Sequence, residues 1–200
     1  MGIGFMKPAL ADEPIREGEK EEKTLSSEGE DLLDKVVVKG EDARQFPREM
    51  ILDLQEEYTD EQRQSIYQKI LKMNVPQKIR LAMMGNRETR NILIRDRHLA
   101  IPMTVLRSPR LSEDDILTYA QQRSLAAEVL KAIAGHKIWM KNYLIKLAVV
   151  SNPKTPLPAA IKFLDHLHDK DLQVLSRSKS ISSVLCRAAY RVHSKRTDSR

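Results

Sequence analysis

The sequence predicts an all-α protein, a short right-handed α-solenoid of stacked short helices with a disordered N-terminal tail. One turn signature recurs, because Val-Leu-Arg-Ser-Pro-Arg at 105–110 returns as Val-Val-Ser-Asn-Pro-Lys at 149–154. Leu-Ala-Met-Met-Gly-Asn at 81–86 similarly matches Leu-Ala-Val-Val-Ser-Asn at 147–152. A self-similar unit of roughly 40–47 residues is typical of helical-repeat arrays, in which stacked helix pairs share one core.

The composition also favours helices over strands. Aromatic residues make up only 4% of the sequence and charged residues 31%, whereas 41% of the residues are apolar. A β-sandwich or barrel needs more aromatic and β-branched side chains than this. Leu, Ala, Met, Lys, Arg, Glu and Gln, which propagate helices well, are abundant instead.

Residues 1–46 are predicted to form a disordered, acidic tail. They carry seven Lys and Arg against twelve Asp and Glu, a net charge of −5, whereas the remaining residues carry 27 against 16, or +11. Stretches of Glu, Lys and Ser without apolar periodicity do not offset the entropy that is lost on ordering. The asymmetry indicates an anionic partner for the basic body, or a tail that screens the body itself.

Residues 47–75 are predicted to form two capping helices at the entry to the repeats. The first helix has Pro47 in its opening turn and apolar residues at helical spacing, which are Met50, Ile51, Leu54 and Tyr58. The second begins at a capping box, in which Thr59 caps the helix and Gln62 lies three residues further on. It ends before Pro76.

Residues 76–192 are predicted to form the helical-repeat domain, followed by a basic C-terminal tail at 193–200. Each predicted helix is bounded by a Gly, Ser, Asn or Pro that ends one helix or caps the next. Ser112 is a clear example, because the three acidic residues that follow it favour the helix macrodipole. The predicted helices span 77–84, 88–95, 98–106, 113–121, 125–134, 137–150, 157–167, 170–176 and 182–192.

The helix predicted at 137–150 is apolar on nearly every side. Such a helix is expected to be buried between its neighbours, where it holds the array together. Trp139 in this helix is therefore interpreted first as a packing residue and second as an anchor for a ligand or partner.

The turn at 149–156, Val-Val-Ser-Asn-Pro-Lys-Thr-Pro, resembles that of the leucine-rich repeat variant family, whose units join two helices through an Asn-Pro-x-Thr-Pro turn. The match includes an acidic linker at 169–171, is good over 140–172 and is partial at 98–118. The chain is also similar to a group of uncharacterised bacterial helical-repeat proteins. The resemblance implies an α-solenoid related in shape to HEAT and armadillo arrays.

No catalytic, metal-binding or cofactor-binding residues are expected, and the chain is interpreted as a non-enzyme. Cys186 is the single cysteine, so the iron–sulfur cluster of some members of the resembled family is not expected here. His166 and His168 diverge on a helix, because residues two apart differ by about 200°. No glycine-rich phosphate loop or triad spacing is present. No secretory signal opens the sequence and no apolar run approaches the ~20 residues of a membrane span, so a cytoplasmic location is expected.

Basic residues of the body form a candidate binding surface, because equivalent side chains in a solenoid line up along one stripe. Its members are Arg87, Arg90, Arg95, Arg97, Arg107, Arg110, Lys141, Lys154, Arg187 and Arg191. The main hypothesis is a non-catalytic adaptor that binds a protein partner through its curved surface. The alternative is a basic groove for nucleic acid or another polyanion. Tyr119 and Tyr143 are expected in the core, which weakens this alternative, because nucleic-acid grooves interleave aromatic residues with Arg and Lys. A merely solvated basic surface is the plainest interpretation of the same residues.

Overall fold

The computed structural model describes residues 45–53 and 58–198, and all regular structure in these two ranges is helical. The all-α prediction is therefore confirmed, whereas residues 1–44, most of the predicted tail, lie outside the described residues. The helices are α1 (Arg48–Ile51), α2 (Asp60–Leu71), α3 (Val75–Met84), α4 (Arg87–Leu93), α5 (Ala100–Leu106), α6 (Glu113–Gln121), α7 (Ala127–Gly135), α8 (Tyr143–Ser151), α9 (Leu157–Lys162), α10 (Asp169–Ser176) and α11 (Ser183–Asp198). Two 3₁₀ turns lie at Trp139–Lys141 and Leu164–His166. No helix in the described ranges combines the length and the apolar character that a membrane crossing needs.

Short polar side chains fix where these helices begin. The capping box predicted at Thr59 and the cap predicted at Ser112 are confirmed, since each side chain accepts the N–H of the residue three positions on, and Ser112 also forms a capping box with Asp115. Asn74 forms a third capping box, which starts α3 with a proline in its first turn. Such a cap satisfies one of the backbone N–H groups that every helix leaves without a partner at its N-terminus.

The first helix is much shorter than predicted. It ends at Ile51, and Leu52 is already extended, so the helix does not continue towards Tyr58. The carbonyl of Ile51 accepts a hydrogen bond from the Arg110 side chain at 2.7 Å instead of continuing the helix. Phe46, assigned to the tail by the sequence, is buried and belongs to the core.

The segment predicted as one buried helix at 137–150 is two elements. Asn142 separates a 3₁₀ turn from α8, and its side chain accepts the N–H of Leu144 at 3.0 Å to start the new helix. The backbone of Asn142 is extended, so the helical period is interrupted there and the apolar residues on its two sides do not share one buried side. Ile138 and Leu144 are 62% and 57% exposed, and the prediction that the segment is buried all round is wrong.

The last helix is longer than predicted. Residues 193–198, interpreted as part of a basic tail, continue α11 to Asp198. Arg196 secures this last part, because its guanidinium donates to the carbonyls of Asp165 and Leu167 and to the carboxylate of Asp169. The side chain that the sequence placed in a solvated tail thus ties α11 to the start of α10.

Hydrogen bonds between helix ends, together with the short connections between successive helices, place these ends at two edges of the fold. The first edge holds the ends of α1, α3 and α5 and the starts of α4, α6 and α8. Asn142, before α8, donates to Glu113 in the first turn of α6 across this edge. The second edge holds the ends of α4, α6 and α8, where Arg95 donates to the side chain of Gln122.

The recurrent turn residues of the sequence connect neighbouring units at these edges. Asn86, Ser108 and Asn152 each follow a helix, and each donates a side-chain hydrogen bond to a carbonyl at the end of an earlier helix. The bonds run from Asn86 to Glu49 and Leu52 (2.7 and 3.0 Å), from Ser108 to Met83 (3.2 Å), and from Asn152 to Ala120 and Gln122 (2.7 and 2.9 Å). The repeat signature thus marks positions that satisfy helix-end carbonyls of the neighbouring unit.

Gly85 lies directly before Asn86, in a turn that leaves no room for a Cβ atom. A Cβ atom there would lie 2.6 Å from the Leu81 carbonyl oxygen and 2.9 Å from Thr89 Cγ2. We expect Gly85→Ala to lower the free energy of unfolding by about 1–3 kcal/mol, as overpacking of a close-packed site does. Gly135→Ala is the control, because nothing lies within 4 Å of a Cβ atom there. Urea unfolding should show a loss for Gly85→Ala alone, and equal midpoints for the two variants would contradict the expectation.

Candidate functional site

Arg90 and Asp115 form a buried ion pair at the first edge, with residue exposures of 4% and 2%. Arg90 Nη2 lies 2.9 Å from Asp115 Oδ2, and Arg90 Nη1 donates to the Gly85 carbonyl at 2.9 Å. The same carboxylate accepts the backbone N–H of Ser112, which closes the capping box of α6. Arg90 was predicted on the binding surface, and this prediction is wrong, because the fold itself occupies its guanidinium.

Tyr119 lies fully buried beside this pair. Burial raises the pKa of its hydroxyl, the Asp115 carboxylate raises it further, and the Arg90 guanidinium opposes the shift. The hydroxyl makes no hydrogen bond within the described part of the chain. Tyr119 is therefore a neutral core residue, as the sequence predicted, and it is not exposed to a ligand.

Two further arginines of the candidate surface already use part of their guanidinium groups for contacts within the protein. Arg87 Nε lies 2.9 Å from Asp115 Oδ1, an ion pair in which the N–H does not point at the oxygen. Arg110 donates to the carbonyls of Ile51 and Met84 at 2.7 and 3.0 Å, so it connects the ends of α1 and α3. Both side chains remain solvent-exposed and hold the turns of the first edge together.

The other candidate residues are exposed but do not lie together. Arg107 and Lys141 lie on the first edge, whereas Arg95, Arg97 and Lys154 lie on the second edge. Arg187 and Arg191 lie on α11. The structure therefore divides the predicted surface into separate regions and does not bring its ten residues into one stripe.

An open depression of about 700 Å³ lies between the start of α10 and the end of α11. Arg196 and Asp169 line it, and they are already engaged with each other. His168 also lines it and contacts the Tyr143 ring, with ring centroids 4.2 Å apart and the planes inclined by 34°. Among the described residues, no group of three or more His, Cys, Asp or Glu is placed to hold a metal ion.

The first edge also carries an exposed apolar segment, which we define as Ile138, Trp139 and Leu144. The indole of Trp139 stacks on the imidazole of His136, with ring centroids 3.7 Å apart and the planes inclined by 23°. Trp139 is half-buried and packs against the main core, so its indole is held in place while part of it remains at the surface. Ile138 and Leu144 add exposed aliphatic side chains on either side of it in the chain.

Sequence reasoning missed two surface features. It placed Ile138 and Leu144 inside the fold, because the break at Asn142 was not recognised as a helix start. It also overlooked Tyr190, which is 62% exposed between Arg187 and Arg191 on α11. The spacing of these three residues within one helical turn was the available signal.

Comparison with known proteins finds no matching family model, no matching curated protein and no matching solved structure. A proposal for its function therefore rests on the chemistry of the chain's own surfaces.

Proposed function

We propose that the chain is a non-catalytic helical-repeat adaptor, which binds a protein partner through the apolar segment Ile138, Trp139 and Leu144. The observation that carries the proposal is Trp139, a half-buried indole fixed by the core and by its stack on His136. Partly buried Trp residues in well-packed settings are enriched among the residues that dominate binding energy at interfaces. A fixed ring loses little side-chain entropy when a partner covers it.

The arrangement of the array supports a solenoid of the leucine-rich repeat variant or HEAT-like kind. Asn86, Ser108 and Asn152 bond helix ends of neighbouring units in the same manner, as equivalent positions of stacked repeats do. Repeat arrays offer extended surfaces to partners and place exposed side chains on rigid helices. A free thiol at Cys186 fits the cytoplasmic location proposed for the adaptor.

The charges beside the segment favour a partner of a particular chemistry. Lys137 and Lys141 are exposed on either side of Trp139 in the chain. An apolar peptide or surface with neighbouring acidic side chains would cover the indole and face these two ammonium groups. Rim charges of this kind act on the rate and specificity of association more than on affinity.

The test is affinity purification of partners by the full chain and by two variants, followed by quantitative mass spectrometry. The double variant Ile138→Ala/Trp139→Ala should lose a specific partner at least tenfold, since hot-spot truncations typically exceed about 2 kcal/mol. The control variant is Tyr67→Ala/Leu71→Ala, which removes an exposed aromatic and aliphatic pair from α2. Circular dichroism checks that both variants are folded. Partners retained equally by both variants would refute the assignment of the site.

A further inference from the structure

The outer side of α11 combines basic residues with an exposed aromatic ring. Leu185 and Ala189 are buried on its inner side, where α11 packs on α10. Arg187, Tyr190 and Arg191 are exposed on the opposite side. They lie within about one turn of each other, so their side chains share one patch of surface. We call these three residues the α11 patch.

The charge around this patch is strongly positive. Residues 177–198 contain six Lys and Arg and a single acid, Asp198. Among the described residues, neither carboxylate of α10 forms an ion pair with the arginines of the patch: Asp169 pairs with Arg196, and Asp171 accepts the Tyr143 hydroxyl. The net positive charge is therefore presented to solvent.

The guanidinium groups of the two arginines in the patch are not used by the described part of the fold. Within the described residues, Arg187 and Arg191 make no ion pair and no side-chain hydrogen bond, in contrast to Arg90, Arg110 and Arg196. Guanidinium groups that the fold does not use retain all their donors, whose fork geometry matches a phosphate group. Tyr190 lies between them in the chain and is 62% exposed.

We propose that the α11 patch binds single-stranded nucleic acid, with phosphates on Arg187 and Arg191 and a base stacked on Tyr190. Proteins that bind single strands without sequence preference generally combine cationic side chains, which contact the phosphates, with aromatic side chains, which stack on the bases. This combination tolerates any sequence because every base has a face that stacks. A duplex hides those faces, so a single strand is the better fit. The patch lies on α11 and is separate from the apolar segment, so this binding does not depend on the proposed function.

The experiment is fluorescence anisotropy of labelled oligo-dT, and of labelled oligo-U, with the full chain at several salt concentrations. Arg187→Ala/Arg191→Ala should weaken binding and reduce the slope of log K against log salt by about 1.4, since each single-strand phosphate contact contributes about 0.7. Tyr190→Ala should weaken binding by about 5–150-fold, the equivalent of one stacked base. Tyr190→Phe keeps the ring and should retain the wild-type affinity.

Arg97→Ala/Arg107→Ala is the matched control, because it removes two exposed arginines at the two edges of the fold. This variant should lose much less affinity than Arg187→Ala/Arg191→Ala, and an equal loss would show diffuse attraction and overturn the proposal. Absence of binding by the wild type at low salt would overturn it as well. If heparin or duplex DNA binds as tightly as oligo-dT and Tyr190→Ala has no effect, the patch is a general polyanion site and base stacking is refuted.

Discussion

Asp115→Ala is expected to lower the free energy of unfolding by about 3–5 kcal/mol, because it leaves the charge of Arg90 buried without its counter-charge. Arg90 is 4% exposed and has only the Gly85 carbonyl as a remaining acceptor. The substitution also removes the carboxylate that completes the capping box with Ser112. Both losses act at the same edge of the fold, where α4 meets α6.

Thermal and urea unfolding followed by circular dichroism would measure this loss. Asp114→Ala is the matched control, since it removes an exposed acid from the same first turn of α6 and should change stability by no more than about 0.5 kcal/mol. The double variant Arg90→Met/Asp115→Ala should recover part of the loss, because an apolar side chain replaces the stranded charge. Similar midpoints for Asp115→Ala and Asp114→Ala would show that the pair does not stabilise the fold.

Local sequence signals predicted most of the helices, because helix starts depend on residues close together in the chain. Thr59 and Ser112 are caps whose partners lie three positions away, so the sequence alone was sufficient. Asn142 was missed because the apolar residues around it fit a single helical period. The end of α1 at Ile51 depends on Arg110, a contact 59 residues away that no local pattern encodes.

The candidate site was harder to predict, since it depends on which of several similar residues is buried. Arg87 and Arg90 are alike in the sequence, but only Arg90 reaches Asp115 from within the core. Its burial follows from the packing of α4 against α3 and α5 and not from its neighbours in the chain. Trp139 was expected in the core and is half-buried, so its truncation is now expected to affect partner binding more than stability.

Asn86→Ala is expected to lower the free energy of unfolding by about 2–4 kcal/mol, because it combines the loss of a helix cap with the loss of buried hydrogen bonds. The fully buried side chain accepts the N–H of Thr89 and donates to the carbonyls of Glu49 and Leu52 and to the Tyr58 hydroxyl. An alanine leaves these carbonyls at the end of α1 without that donor. The residue thus secures α1 as well as starting α4.

Asn74→Ala separates the contribution of the helix cap from that of the buried hydrogen bonds. Asn74 caps α3 through a capping box but is exposed, and its side-chain bond stays within the box, so its loss should be about 1 kcal/mol, as for a cap alone. Asn152→Ala should resemble Asn86→Ala, because Asn152 donates to Ala120 and Gln122 in the same manner and is also buried. Urea unfolding of the three variants makes the comparison. If Asn152→Ala is no worse than Asn74→Ala, the two turns are not equivalent positions of a repeat, and the proposed solenoid loses its main support.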